Sequence, residues 1–480
     1  MTGAGGIQTD ILVIGSGPGG AVSATLFAQA GHDVLMVEEG EHLPLGSAPH
    51  FSREEMLQKY RNAGVNVALG RQKLAWVEGR CVGGGSEINR GLYHRTPDYI
   101  LDSWRRDFGV ANLDLAQLTP HFEACEAVAR VEFVPGAQPA MSQLLQKGAD
   151  AQGWHAIEAP RLFHYAKGRQ GGQKQSMSAT FVERFAQAGG RLMPSTRIAR
   201  LRRVNGHWRA EGHQKSSDGT DRSVHIRART IFVACGAVHT PALLRRSGIR
   251  RNIGNSLRFH PMLKVVAEFD HEVNRPDDVD PVHQVKEFEP RFGMGCSISK
   301  RPMLGMALAG RPGHWPVVEE RWKRMGIYYV QSTGGAASVR NLPGLSSPLV
   351  RIGFTQQDLA TLNEGLMRLC ETLFAAGAVR LFPCIEGYPD LHGAPDLARL
   401  PQRLAGADGS LTSVHIFSSC PMGEDVRRSA TDSFGKVHGV DGLYISDASL
   451  LCTPTAVNPQ GTVMAIAHRN ATQALARRFA

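Results

Sequence analysis

Short apolar runs that end on glycine or an acid recur along the chain and set its predicted elements. Ile11 to Ile14 is four apolar residues in a row, of the kind buried in a parallel strand. It runs into "GSGPGG" and a helical stretch, and "DVLMV" closes the unit as a second strand ending at Glu38. Further along, "IFVACGAVHTPALLRRSGI" (231–249) predicts a buried strand running into Gly236. A helix is expected to start there near Thr240 and Pro241, a cap and first-turn pair. "PLVRIGFTQQDLATLNEGLMRLCETLFAAG" (348–377) predicts a strand and then an amphipathic helix. Within 442–471 a strand ends at Asp447, an irregular loop follows, and Asn458-Pro459 opens the last helix as N-cap and N1.

The glycines between the first strand and helix have a spacing that chemistry explains. Gly15, Gly17 and Gly20 form GxGxxG. The first permits a tight turn, the second lets a pyrophosphate approach the backbone, and the third lets helix and strand pack closely. A phosphate would sit on the helix N-terminus, where amide N–H groups lack internal partners. Glu38 stands where a carboxylate accepts hydrogen bonds from ribose hydroxyls, and its acidity argues against a 2′-phosphate. FAD and NAD both remain open at this point.

Composition narrows the class. At 480 residues the chain exceeds what one core usually fills, so two domains or one elaborated domain are expected. Apolar residues make up 42% and charged residues 20%, as in soluble globular proteins. No apolar run reaches the roughly 18 residues of a membrane span, and "MTGAGGIQTD" lacks the features of a secretory leader. Eight cysteines are scattered without a CxxC pair or metal-ligand spacing. A cytoplasmic protein with reduced thiols and no metal is the expectation. The net charge of +10 is spread over separate segments and forms no stripe with interleaved aromatics, so no nucleic-acid partner is expected.

Four stretches carry a family resemblance. "GRCVGGGSEIN" (79–89) resembles the first signature of the glucose–methanol–choline (GMC) oxidoreductases, with Val82 in a leucine place. Residues 236–249 resemble the second, departing only at the next position, where Arg250 stands for a usual glycine. "LTPHFEACEAV" (118–128) is similar to a family helix, and the 442–471 stretch to the family's C-terminal end. The resemblance runs from about residue 9 to the C-terminus. It implies an α/β fold: a Rossmann-like FAD-binding domain with a discontinuous α+β substrate domain on an antiparallel or mixed sheet. The implied division is FAD-binding in 1–100, 185–262 and 411–480, and substrate-binding in 101–184 and 263–410.

The cofactor implied is FAD, on Gly15, Gly17, Gly20, Glu38, Gly83, Gly84, Ser86, Asn89, Asp447, Ala448 and Pro459. Some members tether flavin through a histidine of the first signature. Here Ile88 occupies that place, so a noncovalent flavin is expected. "HIFSSCPMG" (415–423) matches the family's H-x-x-x-T-C-x-M-G with Ser419 for threonine, which puts His415 on the catalytic position. Asn458 falls where a second His or Asn precedes proline.

The residue types suit alcohol oxidation. A base must take the hydroxyl proton as hydride leaves the carbinol carbon, and imidazole does this near neutral pH. An amide can hold the oxygen without competing for the proton. Cys420 is read as a packing residue and His260 as a structural one. The triple glycine at 83–85, "IGNSLRFHPM" and "GGQKQSMSATFVERF" look like the long-chain alcohol oxidase branch, which points to a primary alcohol on an apolar or aromatic scaffold. Expected partners are a small-molecule alcohol and an electron acceptor, oxygen or another. The alternative is a non-redox member of the fold, of hydroxynitrile lyase or fatty-acid photodecarboxylase type.

Overall fold

The first predicted strand forms over Ile7–Ile14, with parallel neighbours Val34–Val37 on one side and Asp221–Val233 on the other. Ile11 to Ile14 are all buried, as a central parallel strand covered on both faces requires. The computed structural model of the protein describes residues 6–216, 218–404 and 411–477. Arg191–Met193 and Leu443–Ile445 extend the parallel part, and Thr196–Val204 with His207–Lys215 add antiparallel strands. Together they make a seven-stranded sheet. Helices Pro18–Gln29 and Gln460–Ala476 pack against each other beside it.

The helix after Asp221–Val233 corrects one expectation. It spans Gly236–Arg246, so Thr240 is not its cap and Pro241 lies inside it. Pro241 has no N–H for the carbonyl of Ala237 one turn back. Ser419 Oγ donates to that carbonyl instead, at 2.6 Å. Thr240 Oγ1 accepts from the Cys235 amide at 3.0 Å and donates to Asp447. A proline that normally marks a first turn is tolerated deeper in the helix because a distant hydroxyl repairs the broken bond.

A second, nine-stranded sheet is mixed. Its centre is Met262–Glu268, Met325–Ser332 and Phe292–Cys296, paired antiparallel, with His283–Val285 and Ala156–Glu158 beyond. On the other side it recruits Leu411–Ser413, Leu74–Trp76 and Asn66–Ala68. Those three strands come from segments that the family division assigns to the FAD-binding part. The junction between residues 410 and 411 and both chain ends lie at or beyond the limits of the described residues.

The predicted strand and helix of 348–377 form as Leu349–Gly353 and Gln356–Ala375. Thr355 and Asp358 close a capping box at the helix start. This helix and Ala140–Ala151 cover one face of the second sheet. Leu263, Val265, Tyr328 and Val330 point into that core with Leu362, Leu366 and Leu369. The strand period of two sends Met262, Lys264, Tyr329 and Gln331 to the opposite face.

Candidate active site

One continuous cavity runs from the first glycine turn to the opposite face of the second sheet. Gly15, Gly17, Glu38, Gly84, Asn89, Asp447, Ala448, Pro459, His415 and Asn458 all line it. Gly20, Gly83 and Ser86 stand behind its wall. A Cβ on Gly20 would lie 2.0 Å from the Gly15 carbonyl oxygen, so this glycine serves helix–strand packing. The Gly83 amide donates to Ser16 Oγ at 3.0 Å. Ser86 Oγ donates to the Gly83 carbonyl at 2.7 Å and accepts from the Met177 amide at 2.9 Å.

The glycine end fits a dinucleotide. Gly15 has φ +106°, and a Cβ there would sit 2.1 Å from the Ala234 oxygen. Gly84, at φ +57°, would bring a Cβ to 3.0 Å from the Gly17 Cα. Two bare backbones thus face each other across the cavity wall. Helix Pro18–Gln29 starts there with Gly17 as its cap, no side-chain capping bond and no acid in its first turn. Its first amides are left for an anion from outside.

The two predicted carboxylates are braces as well as wall. Glu38 accepts from the Ser16 amide at 3.1 Å, Ser16 Oγ at 2.8 Å and the Gly40 amide at 2.9 Å. Burial nevertheless raises its carboxyl above the ordinary value. Asp447 accepts from the Gly236 and Ser449 amides, at 2.9 and 2.8 Å, and from Thr240, and burial raises it too. At the far end burial also opposes the charge of Glu39, but Arg61, bonded to it at 2.8 and 3.1 Å, overrides this and holds it at about 2.

At the other end stand the predicted pair. His415 Nε2 lies 3.2 Å from Asn458 Nδ2, and His415 Nδ1 lies 2.9 Å from His260 Nδ1. Ser413 Oγ bonds both the amide and the carbonyl of His415, at 3.3 and 2.9 Å, which fixes the backbone between two short strands. Burial, helped by the charges of Arg90 and Lys286, pushes the His415 imidazolium down to about 3, so the ring is neutral. Its exposed part opens on the cavity. His260 is buried, edge-on to His415 with ring centroids 5.1 Å apart, and does not line the cavity.

Asn458 departs from its predicted capping role. The last helix starts at Gln460 with Pro459 as cap, and Asn458 makes no capping bond. Its amide turns to the site: Oδ1 accepts from Gln284 Nε2 at 3.1 Å while Nδ2 faces His415. Gln284 Nε2 also donates to Tyr329 Oη at 3.2 Å. Cys420 is fully buried, and burial lifts its thiol to about 12, which suits packing and not a thiolate. All eight cysteines are free thiols.

Several residues of the cavity and its supports escaped sequence reasoning. Arg90, Lys264, Tyr329 and Gln331 line the cavity with His415 and Asn458. Lys264 had a signal: a lone cation alternating with apolar residues in "MLKVVAE". Lys174 is buried and donates to the carbonyls of Glu87 and Asn89, at 2.7 and 2.5 Å, clamping the Gly79–Asn89 turn from behind. Burial pulls its ammonium down to about 7. Asn89 Nδ2 donates to Gln460 Oε1 at 2.5 Å, tying that turn to the last helix.

Comparison with known proteins agrees with this geometry. Family models for GMC oxidoreductase match residues 56–262 and 341–467, and one for an FAD binding domain matches residues 8–102. The uncharacterized GMC-type oxidoreductase y4nJ of Sinorhizobium fredii is 35% identical over 98% of this chain and 95% of its own. Long-chain-alcohol oxidase FAO4A of Arabidopsis thaliana is 25% identical over 96% of this chain and 68% of its own. The crystal structure of pyridoxine 4-oxidase from Mesorbium loti superposes with a TM-score of 0.74 at 18% identity, covering 97% of this chain and 99% of that one.

Proposed function

Because the chain belongs to the GMC oxidoreductase family, we propose that it oxidises an alcohol to an aldehyde or ketone at the His415–Asn458 end of the cavity. The observation that carries this reading is the 3.2 Å approach of Asn458 Nδ2 to His415 Nε2 at the cavity wall. An alcohol hydroxyl lying beside this contact in the cavity meets a proton acceptor and a donor. His415 takes the hydroxyl proton on Nε2, and Asn458 donates to the oxygen as negative charge grows on it. Gln284 holds the Asn458 carbonyl, so the amide keeps its NH₂ toward the substrate.

Bound FAD would supply the acceptor for the hydride that leaves the carbinol carbon. Gly15, Gly17, Gly84 and the first amides of helix Pro18–Gln29 would hold its diphosphate, and Glu38 its ribose. Ile88 lines the cavity with no group able to form a tether, which supports noncovalent binding. Oxygen or another acceptor would then take up the electrons. A cytoplasmic setting belongs to the same proposal, supported by the eight free thiols.

The test is to mix purified protein anaerobically with long-chain, aryl, sugar and amino alcohols and follow the visible flavin band. Bleaching by one class upholds the reading, and readmitting air then separates oxidase from dehydrogenase. A flavin band that no alcohol bleaches would transfer the protein to the non-redox readings of this fold.

A further inference from the structure

The face of the second sheet that closes the catalytic end is not apolar. Lys264 and Tyr329 are directly opposite each other across Met262–Glu268 and Met325–Ser332, and Met262 and Gln331 form the next pair on the same face. Farther along that face, Val266 and Ile327 are covered by a small cluster with Leu304 and Phe382. The uncovered part is left to the cavity.

The charges there are one-sided. The Lys264 ammonium meets no carboxylate and no hydrogen-bond acceptor among the described residues, although it lines the cavity. Burial, with Arg90 nearby, lowers it from the usual lysine value, as an uncompensated charge requires. Arg90 lines the same end, donates to the Pro281 carbonyl at 3.0 Å and to the Tyr329 hydroxyl, and meets no carboxylate among the described residues. Neighbouring Lys286 differs, being paired with Glu289 at 2.7 Å. The acids that line the cavity are Glu38, Glu39, Glu78 and Asp447, and each is already engaged by protein donors. None lies on this sheet face.

We infer that the alcohol carries an anionic group, a carboxylate or a phosphate monoester, which Lys264 and Arg90 receive while the hydroxyl faces His415. This deepens the alcohol-oxidation reading and rests on it. The anion is a spectator: no bond to it forms or breaks, and the two cations fix which end of the molecule meets the base. A plain long-chain alcohol would instead bury methylenes against an unpaired ammonium, which costs more than it gains.

The test compares an ω-hydroxy carboxylate, an ω-hydroxyalkyl phosphate and the plain alkanol of equal chain length on the holoenzyme. We expect kcat/KM for one of the anionic alcohols to exceed the alkanol's by about 10–100-fold, the size of a charge-assisted hydrogen bond. The better anion identifies the source. Lys264→Met, similar in length, is expected to collapse that ratio. Calorimetric binding of a non-oxidisable alkyl carboxylate should weaken by a similar factor. Equal kcat/KM for charged and plain alcohols overturns the inference, as does a Lys264→Met loss that is the same for both. A carboxylate bound through Lys264 by a protein that no alcohol reduces would sink the alcohol reading and uphold the anion seat.

Discussion

The Nδ1 atoms of His260 and His415 face each other at 2.9 Å, so one ring must carry its proton there and the other must not. Asn458 Nδ2 can only donate, which makes His415 Nε2 the acceptor and puts the His415 proton on Nδ1. That proton is donated to His260 Nδ1. The proton of His260 is left on Nε2, a buried atom with no partner among the described residues. The pair therefore sets the tautomer in which His415 presents a lone pair to the cavity, at the cost of one unsatisfied group behind it.

His260→Leu removes this control without touching the cavity wall. Flavin content should stay at the wild-type level, while kcat falls about tenfold or more and KM changes little. His260→Asn, whose carbonyl can accept from His415 Nδ1, should recover part of the loss. Equal activity in both variants and the wild type would mean that the His–His contact is packing alone.

His415→Ala removes the proposed base itself. Flavin is expected to stay bound, and its anaerobic reduction by substrate to slow by about 10²–10⁴-fold. Stopped-flow absorbance is the measurement, and reduction at the wild-type rate would remove His415 from the mechanism.

The pH dependence has a definite sign. His415 is a base only when neutral, and burial holds its folded value at about 3 against an ordinary 6.5. The kcat/KM profile should therefore show no His415 inflection near pH 6.5, and its acid limb should lie near pH 3. Over that interval the unfolded chain binds the proton and the folded one does not, so stability falls as pH drops from about 6.5 toward 3. Thermal melts across that range check the second half. An inflection in kcat/KM near 6.5 that His415→Ala abolishes would show a far more solvated ring.

Much of this was legible in the chain. Gly15 to Gly20, Gly79 to Asn89, His415 and Asn458 sit in short local patterns, and each pattern states a backbone or chemical need that the fold then meets. What was not legible depends on partners far away. Thr240-Pro241 reads as a helix start because Ser419, which rescues the Ala237 carbonyl, is 182 positions distant in sequence. Asn458 reads as a cap because Gln284 and His415 are invisible from its neighbours. Lys264 becomes part of a site only through strand register: its pairing with Tyr329 is written in neither strand alone.

Two glycines of the first turn should respond differently to a methyl group. Gly15→Ala meets the Ala234 oxygen at 2.1 Å with φ +106°, so it should lower the melting temperature and lose flavin together. A Cβ on Gly17 has no atom within 4 Å and points at open space. Gly17→Ala should melt like the wild type yet retain less flavin. Normal flavin content in Gly17→Ala would take the cofactor away from that wall.

Lys174→Met leaves the Glu87 carbonyl without its buried donor and the Asn89 carbonyl with His50 Nε2 alone, at 3.1 Å. A destabilisation of about 1–3 kcal/mol is expected from the one unpaired acceptor. Flavin should be released below the unfolding temperature as the Gly79–Asn89 turn loosens. Flavin fluorescence and far-UV dichroism followed in one thermal ramp would separate the two events.

Asp447 bonds back to Gly236 and Thr240, and Gln460 bonds back to Asn89. A site that opens with residue 15 is thus closed only by residues beyond 411, which also supply His415 and Asn458. On the ribosome, the glycine turns emerge hundreds of residues before the wall that completes them. Cofactor capture then waits for the residues beyond 411, and a nascent chain halted before them would lack both Leu443–Ile445 of its first sheet and the wall that closes on FAD.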